Sequence, residues 1–199
     1  FGFRCGFLGL LHLDIFQERL QREYNLEIII TVPSVAYKVT TQAGIQKTIH
    51  RPQEMPDPNH LQEILEPWMK LDIITPKSFV GNVMGLVSER KGKYINTEYL
   101  STDTDQPART SDDAQSGGRA MLHYEIPLAS LVTDFYDKLK TVSSGYASMN
   151  YEFMDYQPTK VVRLDIMVAE EQVEALSTLV WEDQAYKSGK TIVEALKES

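Results

Sequence analysis

Strands in the second half of the chain are predicted by apolar residues that alternate with polar ones. Met69, Leu71 and Ile73 are apolar and the residues between them are charged, which is typical of a strand with one buried face. Three further strands are predicted by the same criterion, at 94–100, 121–126 and 149–153. A helix of 3.6-residue period cannot produce this alternation, so the segment contains a sheet.

Two helical patterns lie between these strands. The first helix is predicted to begin at Thr75-Pro76, where a hydroxyl cap precedes a proline, and to end at Gly92. The second helix is predicted over 128–143, with Leu131, Phe135 and Leu139 on one face. The resulting order is βαββαβ, the ferredoxin-like arrangement of two helices on one face of a four-stranded sheet. The sequence therefore predicts an α+β sandwich over 66–158.

The residues before this unit follow a different pattern. In 1–41, an amphipathic helix with Leu13, Phe16 and Leu20 on one face lies between a short Phe/Gly-rich strand and a β-branched strand. Three elements rarely enclose a core, so we interpret 1–41 as half of a domain. Residues 42–65 contain three prolines, which argue against a central strand, and we interpret them as a linker.

The residues after the unit are predicted to start another domain. In 159–199 we predict a strand at 162–168, a helix at 170–180 and a further helix near Thr191. That last helical pattern is still continuing at Ser199, and the chain begins at Phe1 without a methionine. We therefore expect the sequence to be a fragment of a longer protein.

Composition narrows the class of protein. Of the 199 residues, 42% are hydrophobic and 24% are charged, as in an ordinary globular protein. No stretch approaches the roughly 20 apolar residues that a membrane-spanning helix needs. A single cysteine, Cys5, excludes a disulfide scaffold and a multi-cysteine zinc site, and fits a reducing cytosol. The net charge of −8 argues against a strong binder of free RNA, because such domains normally carry a basic face.

The charge is nevertheless unevenly distributed. The segment 70–93 contains more basic than acidic residues: Lys70, Lys77, Arg90, Lys91 and Lys93 against Asp72 and Glu89. The segment 101–118 is rich in Ser, Thr and Asp and ends in Gly-Gly, so we predict an acidic, flexible loop there. The basic segment is consistent with a solubilising surface or with an edge that faces phosphates.

Catalytic chemistry has few candidates. Cys5 and His12 could form a nucleophile and base, but Cys5 lies in an apolar run, where free cysteines are normally buried, and we expect a structural role. The glycines at 2, 6 and 9 do not have the G-x-G-x-x-G spacing, and the chain has no G-x-x-x-x-G-K-S/T phosphate loop. We therefore predict no catalytic residue and no cofactor-binding residue in this chain.

The sequence evidence for a metal site, an acid–base pair of carboxylates or an RNA-recognition signature is equally weak. His50, His60 and His123 are dispersed, without the spacing of a helical metal site, so no metal ligands are predicted. Four carboxylates could pair as acid and base but fall on predicted polar faces: Glu89, Asp134, Asp137 and Glu152. Residues 144–151 partly match an RNA-recognition signature, but they lack its central aromatic residue, and we interpret the match as coincidence.

Three separated stretches resemble one family, the elongation factor G-type translational GTPases. Residues 6–15 (GFLGLLHLDI) resemble a turn of that family's third domain. Residues 66–76, continuing to Arg90-Lys-Gly92, resemble the opening of its fifth domain, and 124–128 with 144–148 resemble the second half of that domain. The short distance between the first two stretches matches a branch of the family that lacks the fourth domain and has its own C-terminal domain.

The resemblance implies a specific domain organisation. Residues 1–41 correspond to the second half of a domain III-like, ferredoxin-like unit, and 42–65 to a linker. Residues 66–158 correspond to a ferredoxin-like domain V, and 159–199 to the start of the C-terminal domain. The family's GTP-binding domain has no counterpart in the sequence, so GTP and Mg²⁺ would bind elsewhere in the parent protein and not to this fragment.

The resemblance also implies a function. The parent would be a monomeric GTP hydrolase that acts on the ribosome in protein synthesis, by back-translocation of tRNAs, in fidelity or in ribosome assembly. Its partners would be ribosomal RNA of the GTPase-associated region and tRNA. It would be cytoplasmic, with peripheral association at the inner face of the cell membrane. We expect Lys77, Arg90, Lys91 and Lys93 to lie on one exposed side of the domain and to contact ribosomal RNA.

Two alternatives remain open at this point. A stand-alone ferredoxin-like module could bind RNA or a small ligand on its sheet, which requires exposed aromatic residues on the open face. An enzyme based on Cys5 and His12 would require both side chains in one cleft that solvent can reach.

Overall fold

A computed structural model describes residues 5, 7, 10–28, 35–100, 118–168 and 170–198. The chain divides into two compact units, Phe1–Pro33 and Ser34–Ser199. The domain boundary predicted at residue 41 falls inside a strand of the second unit. The predicted strand near Phe1, residues 29–34 of the β-branched strand predicted over 26–39, and most of the loop at 101–118 lie outside the described residues.

The first unit contains one described helix, α1 (Leu10–Tyr24), as the apolar stripe predicts. The helix ends at Asn25, which adopts a left-handed conformation with φ of 52°. On its surface, Arg19 and Glu23 form an ion pair of 3.1 Å one turn apart. Ile15 and Phe16 are exposed, so the apolar side of α1 is only partly covered.

The second unit is organised around one long strand, β3 (Leu61–Pro76). The strands β4 (Lys93–Leu100), β5 (Arg119–Pro127) and β6 (Ser148–Pro158) complete a sheet in the order β6-β3-β5-β4, in which all neighbours are antiparallel. Helix α2 (Val80–Glu89) connects β3 to β4, and α3 (Leu128–Leu131) with α4 (Phe135–Val142) connects β5 to β6. This order and connectivity confirm the predicted ferredoxin-like βαββαβ fold.

The alternating residues divide the sheet into two faces. Leu71 and Ile73 of β3 and Leu122 of β5 are fully buried beneath the helices, on what we call the helix-covered face. The helices bury Val83 and Phe135, among others, in the same core. The residues between the buried ones, such as Asp72 and His123, are directly paired and lie on the opposite, open face. The period-2 pattern therefore specified which face is buried.

The predicted linker at 42–65 was wrong in part, because one whole strand and the first residues of β3 lie within it. A hairpin of β1 (Tyr37–Thr41) and β2 (Gln46–Ile49) pairs with the start of β3. The prolines at 52, 56 and 58 lie between the strands, so they do not interrupt the pairing. β2 is exposed except for Ile49, so its composition resembles that of a loop.

The helix start predicted at Thr75-Pro76 was also wrong. Thr75 continues β3, opposite Ala120 of β5, and is fully buried. A short 3-10 turn, Lys77–Phe79, precedes α2, and the capping position is Phe79, without a side-chain cap. Cross-strand pairing over the core therefore prevailed over the local capping signal.

Residues after 158 pack on a second, smaller core. Strands β7 (Val161–Leu164) and β10 (Thr178–Trp181) pair with each other, and Val161, Leu179 and Trp181 contact apolar residues of the β1–β2 hairpin and of α3. The helix predicted at 170–180 was wrong. That segment holds the short strand β9 (Glu171–Gln172), which pairs with β8 (Met167–Val168), then a 3-10 turn and β10.

The helix prediction failed at β10 because this segment contains β-branched residues and pairs with β7. Strand pairing there outweighs the weak helical pattern of the sequence. The last helix, α5 (Ala185–Glu198), agrees with the helical pattern near Thr191.

Candidate functional site

The basic residues predicted as a site fall at two opposite ends of the sheet. Arg90, Lys91 and Lys93 surround the turn from α2 into β4, where Lys93 pairs with Glu125 of β5. Lys77 follows the other end of β3, where Leu100 of β4 pairs with Arg119 of β5. These ends are about 24 Å apart along β4, at about 3.4 Å per residue. The structure therefore does not bring the four residues to one edge.

A tight turn fixes the first group, which we call the turn end (Arg90, Lys91 and Lys93). The N–H of Gly92 donates to the carbonyl of Val87 at 2.9 Å. A Cβ on Gly92 would lie 2.2 Å from Cγ1 of Val87, so only glycine fits there. Lys91 takes the left-handed conformation, with φ of 61°, which glycine or asparagine would adopt with less strain. Lys91 therefore occupies a backbone position that is unfavourable for lysine.

Arg90 is bound within the domain. Its guanidinium forms an ion pair with Asp134 between α3 and α4, and its carbonyl accepts a hydrogen bond of 2.6 Å from the buried Ser130. Burial alone would raise the pKa of Asp134, but hydrogen bonds from Lys138 and Arg90 outweigh burial and lower that pKa to about 2. The helix predicted over 128–143 is divided into α3 and α4. Asp134, which binds Arg90, lies in the interruption between them.

Lys91 connects the ferredoxin-like domain to the segment after 158. Its ammonium lies 2.7 Å from Oδ1 of Asp183 and 4.6 Å from the ring centroid of Trp181. The indole N–H of Trp181 donates to Oε2 of Glu66 at 3.0 Å. Burial raises the pKa of Glu66 above its ordinary 4.5, although hydrogen bonds from Thr159 and Trp181 act in the opposite direction.

Lys93 has partners of its own. Its ammonium lies 4.1 Å from the ring centroid of Trp68 and donates to Oε1 of Gln157 at 3.1 Å. All three basic residues of the turn end therefore make contacts within the chain. Two of them, Arg90 and Lys91, are neutralised by a carboxylate.

The other group, which we call the Lys77 end, has a different character. Lys77 is exposed, and its ammonium lies 5.3 Å from the ring centroid of Tyr99, itself 63% exposed. Among the described residues, no carboxylate lies within 4 Å of that ammonium. Two residues further on, Phe79 stacks with Tyr146, at a centroid distance of 6.1 Å and an interplanar angle of 19°.

Sequence reasoning missed the aromatic residues of the Lys77 end. Tyr99, Phe79 and Tyr146 belong to three different elements, and the turn before β6 brings Tyr146 to the helix start. Tyr146 was considered only within the 144–151 signature, and its partner Phe79 was not considered as a site residue. The strand register pairs Tyr99 with Ala120 on β5, and the turn before β6 places Tyr146 on Phe79.

The open face of the sheet does not provide an aromatic platform. Four exposed aromatic residues on the strands are paired directly with buried residues, and therefore lie at the edges of the helix-covered face: Tyr94, Tyr99, Tyr151 and Phe153. On the described part of the open face, His123 lies 2.6 Å from Asp72 and 3.6 Å from Glu98. Among the described residues, the open face therefore lacks the exposed aromatic side chains that RNA or ligand binding on the sheet requires.

The remaining candidates are dispersed. Cys5 and His12 are both exposed, so the expected burial of Cys5 was wrong. A Gly-Lys-Thr triplet occurs at 189–191, but it lies inside α5, and Gln184 occupies the position where a phosphate loop needs its first glycine. In the described part of the chain, no cluster of His, Cys, Asp and Glu could hold a metal ion.

The candidate carboxylates do not form an acid–base pair in the described structure. Asp134 binds Arg90 and Lys138, whereas Glu89, Asp137 and Glu152 are exposed. None of the described helices is both long and apolar enough to cross a membrane.

Comparison with known proteins identifies the family to which the chain belongs. The model of the family "Elongation factor G C-terminus" matches residues 63–109 and 106–167, which include the ferredoxin-like domain. The chain therefore belongs to the elongation factor G family.

Individual relatives are similar over essentially the whole chain. Elongation factor 4 of Parasynechococcus marenigrum (strain WH8102) is 46% identical over 198 residues, which cover 100% of this chain. Elongation factor 4 of Chlorobium phaeobacteroides (strain BS1) is 46% identical over 197 residues, or 99% of this chain. The translation factor GUF1 homolog of the Paulinella chromatophora chromatophore is 46% identical over 198 residues, or 100% of it. The chain spans about 30% of the length of each of these relatives.

Proposed function

We propose that this chain is the ribosome-binding, non-catalytic portion of elongation factor 4, or LepA, a translational GTPase. The observation that carries the proposal is the 46% identity to proteins of that name over the whole chain. GTP and Mg²⁺ are held by the GTP-binding domain of the complete protein, and this chain contributes no catalytic, cofactor or metal ligand. The complete protein acts on the ribosome in back-translocation of tRNAs, in fidelity or in ribosome assembly.

The proposed partners are ribosomal RNA of the GTPase-associated region and tRNA. The complete protein is monomeric and cytoplasmic, with peripheral association at the cell membrane. Lys77, Arg90, Lys91 and Lys93 contact RNA phosphates, but they do not contribute equally. Lys77 contributes most, because its ammonium faces no carboxylate among the described residues, whereas Arg90 and Lys91 already face Asp134 and Asp183.

Co-sedimentation of the chain with ribosomes over a series of salt concentrations tests the proposal. We expect binding that weakens with salt, and Lys77→Glu should weaken it further while making the salt dependence shallower by about one unit of slope. Lys47→Glu, an exposed change on β2, is the matched control and should bind like the unchanged chain. Failure of the unchanged chain to co-sediment even at low salt would overturn the proposed function.

A further inference from the structure

The edge strand β6 carries three aromatic side chains on one face. Tyr151 and Phe153 pair with Leu71 and Met69 of β3, so both lie on the helix-covered side of the sheet, about 7 Å apart along the strand. Tyr151 is 46% exposed and Phe153 is 58% exposed, so the helices leave this edge uncovered. The ring of Phe153 contacts that of Tyr156, at a centroid distance of 5.6 Å. The three rings therefore form one continuous surface.

A β-bulge determines which side chains reach this surface. Strict alternation after Phe153 would place Asp155 beside the rings. The register instead shifts by one residue between Phe153 and Asp155, so that Tyr156, which pairs with Pro67, follows on this face. Asp155 accepts a hydrogen bond of 3.3 Å from Gln157 on the opposite, open face. The bulge thus puts a ring where the alternation would have put a carboxylate, as bulges that redirect side chains do.

Lys38 of β1 supplies a cation at one end of this surface. Its ammonium lies 4.0 Å from the ring centroid of Tyr156. Among the described residues, no carboxylate lies within 4 Å of that ammonium. Glu63 of β3 shares this face, but it lies on the side of Lys38 that is away from the rings. The two carboxylates of β6, Glu152 and Asp155, lie on the open face.

This combination of groups fits an anionic partner that offers planar groups. Rings on which bases stack, together with a cation that binds the backbone, are the elements with which proteins hold single-stranded RNA. A row of rings favours RNA over an acidic peptide, because every base presents a planar face for stacking and acidic side chains do not. The net charge of −8 opposes non-specific attraction to RNA, so binding here depends on the rings.

We propose that this aromatic strip, defined by Lys38, Tyr151, Phe153 and Tyr156, binds unpaired RNA. Bases stack on Tyr151 and Phe153, and a phosphate binds Lys38. The proposal rests on the proposed ribosomal function and adds an RNA contact to the domain. Because stacking requires bases that are free of a duplex, the strip selects single strands. Attraction by charge alone would favour the duplex and its higher charge density.

Fluorescence anisotropy with an end-labelled, unstructured RNA oligonucleotide and with the corresponding duplex at low salt tests this proposal. We expect saturable binding that is tighter for the single strand. Tyr151→Leu and Phe153→Leu should each weaken single-strand binding about tenfold, through the loss of one stacked base. Tyr151→Phe keeps the ring and should bind like the unchanged chain. Lys38→Gln should weaken binding and reduce the salt slope by about one, and Lys38→Arg should retain both.

Two further variants are matched controls. Tyr94 is 50% exposed on β4, at the opposite edge of the sheet, and Lys47 is exposed on β2, on the face of the hairpin opposite to Lys38. Tyr94→Leu and Lys47→Gln should therefore leave RNA binding unchanged. Absence of saturable single-strand binding, equal affinity for the duplex, or unchanged binding in both Tyr151→Leu and Phe153→Leu would overturn the proposal.

Ribosome co-sedimentation of the same variants separates this proposal from the proposed function. If the unchanged chain binds ribosomes but no single strand, this proposal fails and the proposed function stands. Weaker ribosome binding by Phe153→Leu in that case would assign the strip to a protein partner instead. Binding of single strands by a chain that does not co-sediment with ribosomes would contradict the proposed function alone.

Discussion

The two ends of one sheet carry similar basic residues but use them differently. At the turn end, Arg90 and Lys91 bind Asp134 and Asp183, and the charges hold elements of the chain together. At the Lys77 end, the ammonium lies over an exposed ring, with no carboxylate within 4 Å among the described residues. The number of basic residues in a sequence therefore does not show how many of them are available to bind a partner.

The supporting glycines show the same contrast. Gly92 allows the backbone to approach the fully buried Val87, so the turn end packs directly against the folded core. Gly118 lies against the flexible end of Lys77, so it shapes a surface. Because one glycine supports packing and the other supports a surface side chain, substitutions at the two positions should have different consequences.

The largest effect is expected from Gly92→Ala, compared with Gly118→Ala. In Gly92→Ala, the new methyl collides with Val87, and the free energy of unfolding should fall by about 3 kcal/mol. In Gly118→Ala, the φ of 63° disfavours a side chain, and we expect a loss of about 1 kcal/mol. Urea denaturation measures both values, and a greater loss in Gly118→Ala would contradict the comparison.

A smaller effect on stability is expected from Lys91→Gln, compared with Lys77→Gln. Lys91→Gln removes the ion pair with Asp183 and the contact with Trp181, and should destabilise the protein by about 1 kcal/mol. Lys77→Gln should change stability by less than about 0.5 kcal/mol, as surface substitutions usually do.

Thermal unfolding of both variants measures the difference. A double-mutant cycle with Asp183→Asn should show coupling to Lys91 and none to Lys77. The chain has two tryptophans, Trp68 and Trp181, and Trp181 touches Lys91, so its fluorescence should also respond to Lys91→Gln. Equal loss of stability in both variants would mean that the contacts of Lys91 contribute nothing beyond those of an ordinary surface lysine.

The architecture of the central domain was predictable because its signal is local. Leu71 and Ile73 alternate with charged residues, and burial of one face needs no information beyond that pattern. β2 and β10 were missed because their neighbours decide their structure. β2 is exposed apart from Ile49, and β10 is a strand because β7 pairs with it. The capping signal at Thr75 failed for the same reason, since β5 extends the ladder to that residue.

The candidate site was less predictable than the fold. Lys77 was identified as a basic residue in the first turn of a helix, but Tyr99 lies beside it only through the strand register, and Tyr146 stacks on Phe79 only through the turn before β6. The carboxylates that neutralise Arg90 and Lys91 lie 44 and 92 residues further along the chain. No local sequence pattern predicts ion pairs between such distant residues. A sequence therefore gives the net charge but not which basic side chains lack a carboxylate partner.

The smallest effect is expected from Glu66→Gln, which probes how the turn end is joined to β10. Because burial raises the pKa of Glu66 above 4.5, the folded protein retains this proton to higher pH than the unfolded chain does. The stability contributed by the neutral carboxyl is thus complete below pH 4.5 and is lost as pH rises through the raised pKa. Glutamine stays neutral, and its carbonyl can still accept the hydrogen bond from Trp181.

The stability of Glu66→Gln relative to the unchanged chain should therefore increase with pH, by less than about 1 kcal/mol in total. Urea denaturation between pH 4 and pH 8 measures this difference, and Glu63→Gln, an exposed change on the same strand, is the control. A difference that instead decreases with pH would mean that the hydrogen bonds from Thr159 and Trp181 outweigh burial. In that case the charged carboxylate would hold β10 to β3, as the ion pair of Lys91 with Asp183 holds the turn end to the C-terminal segment.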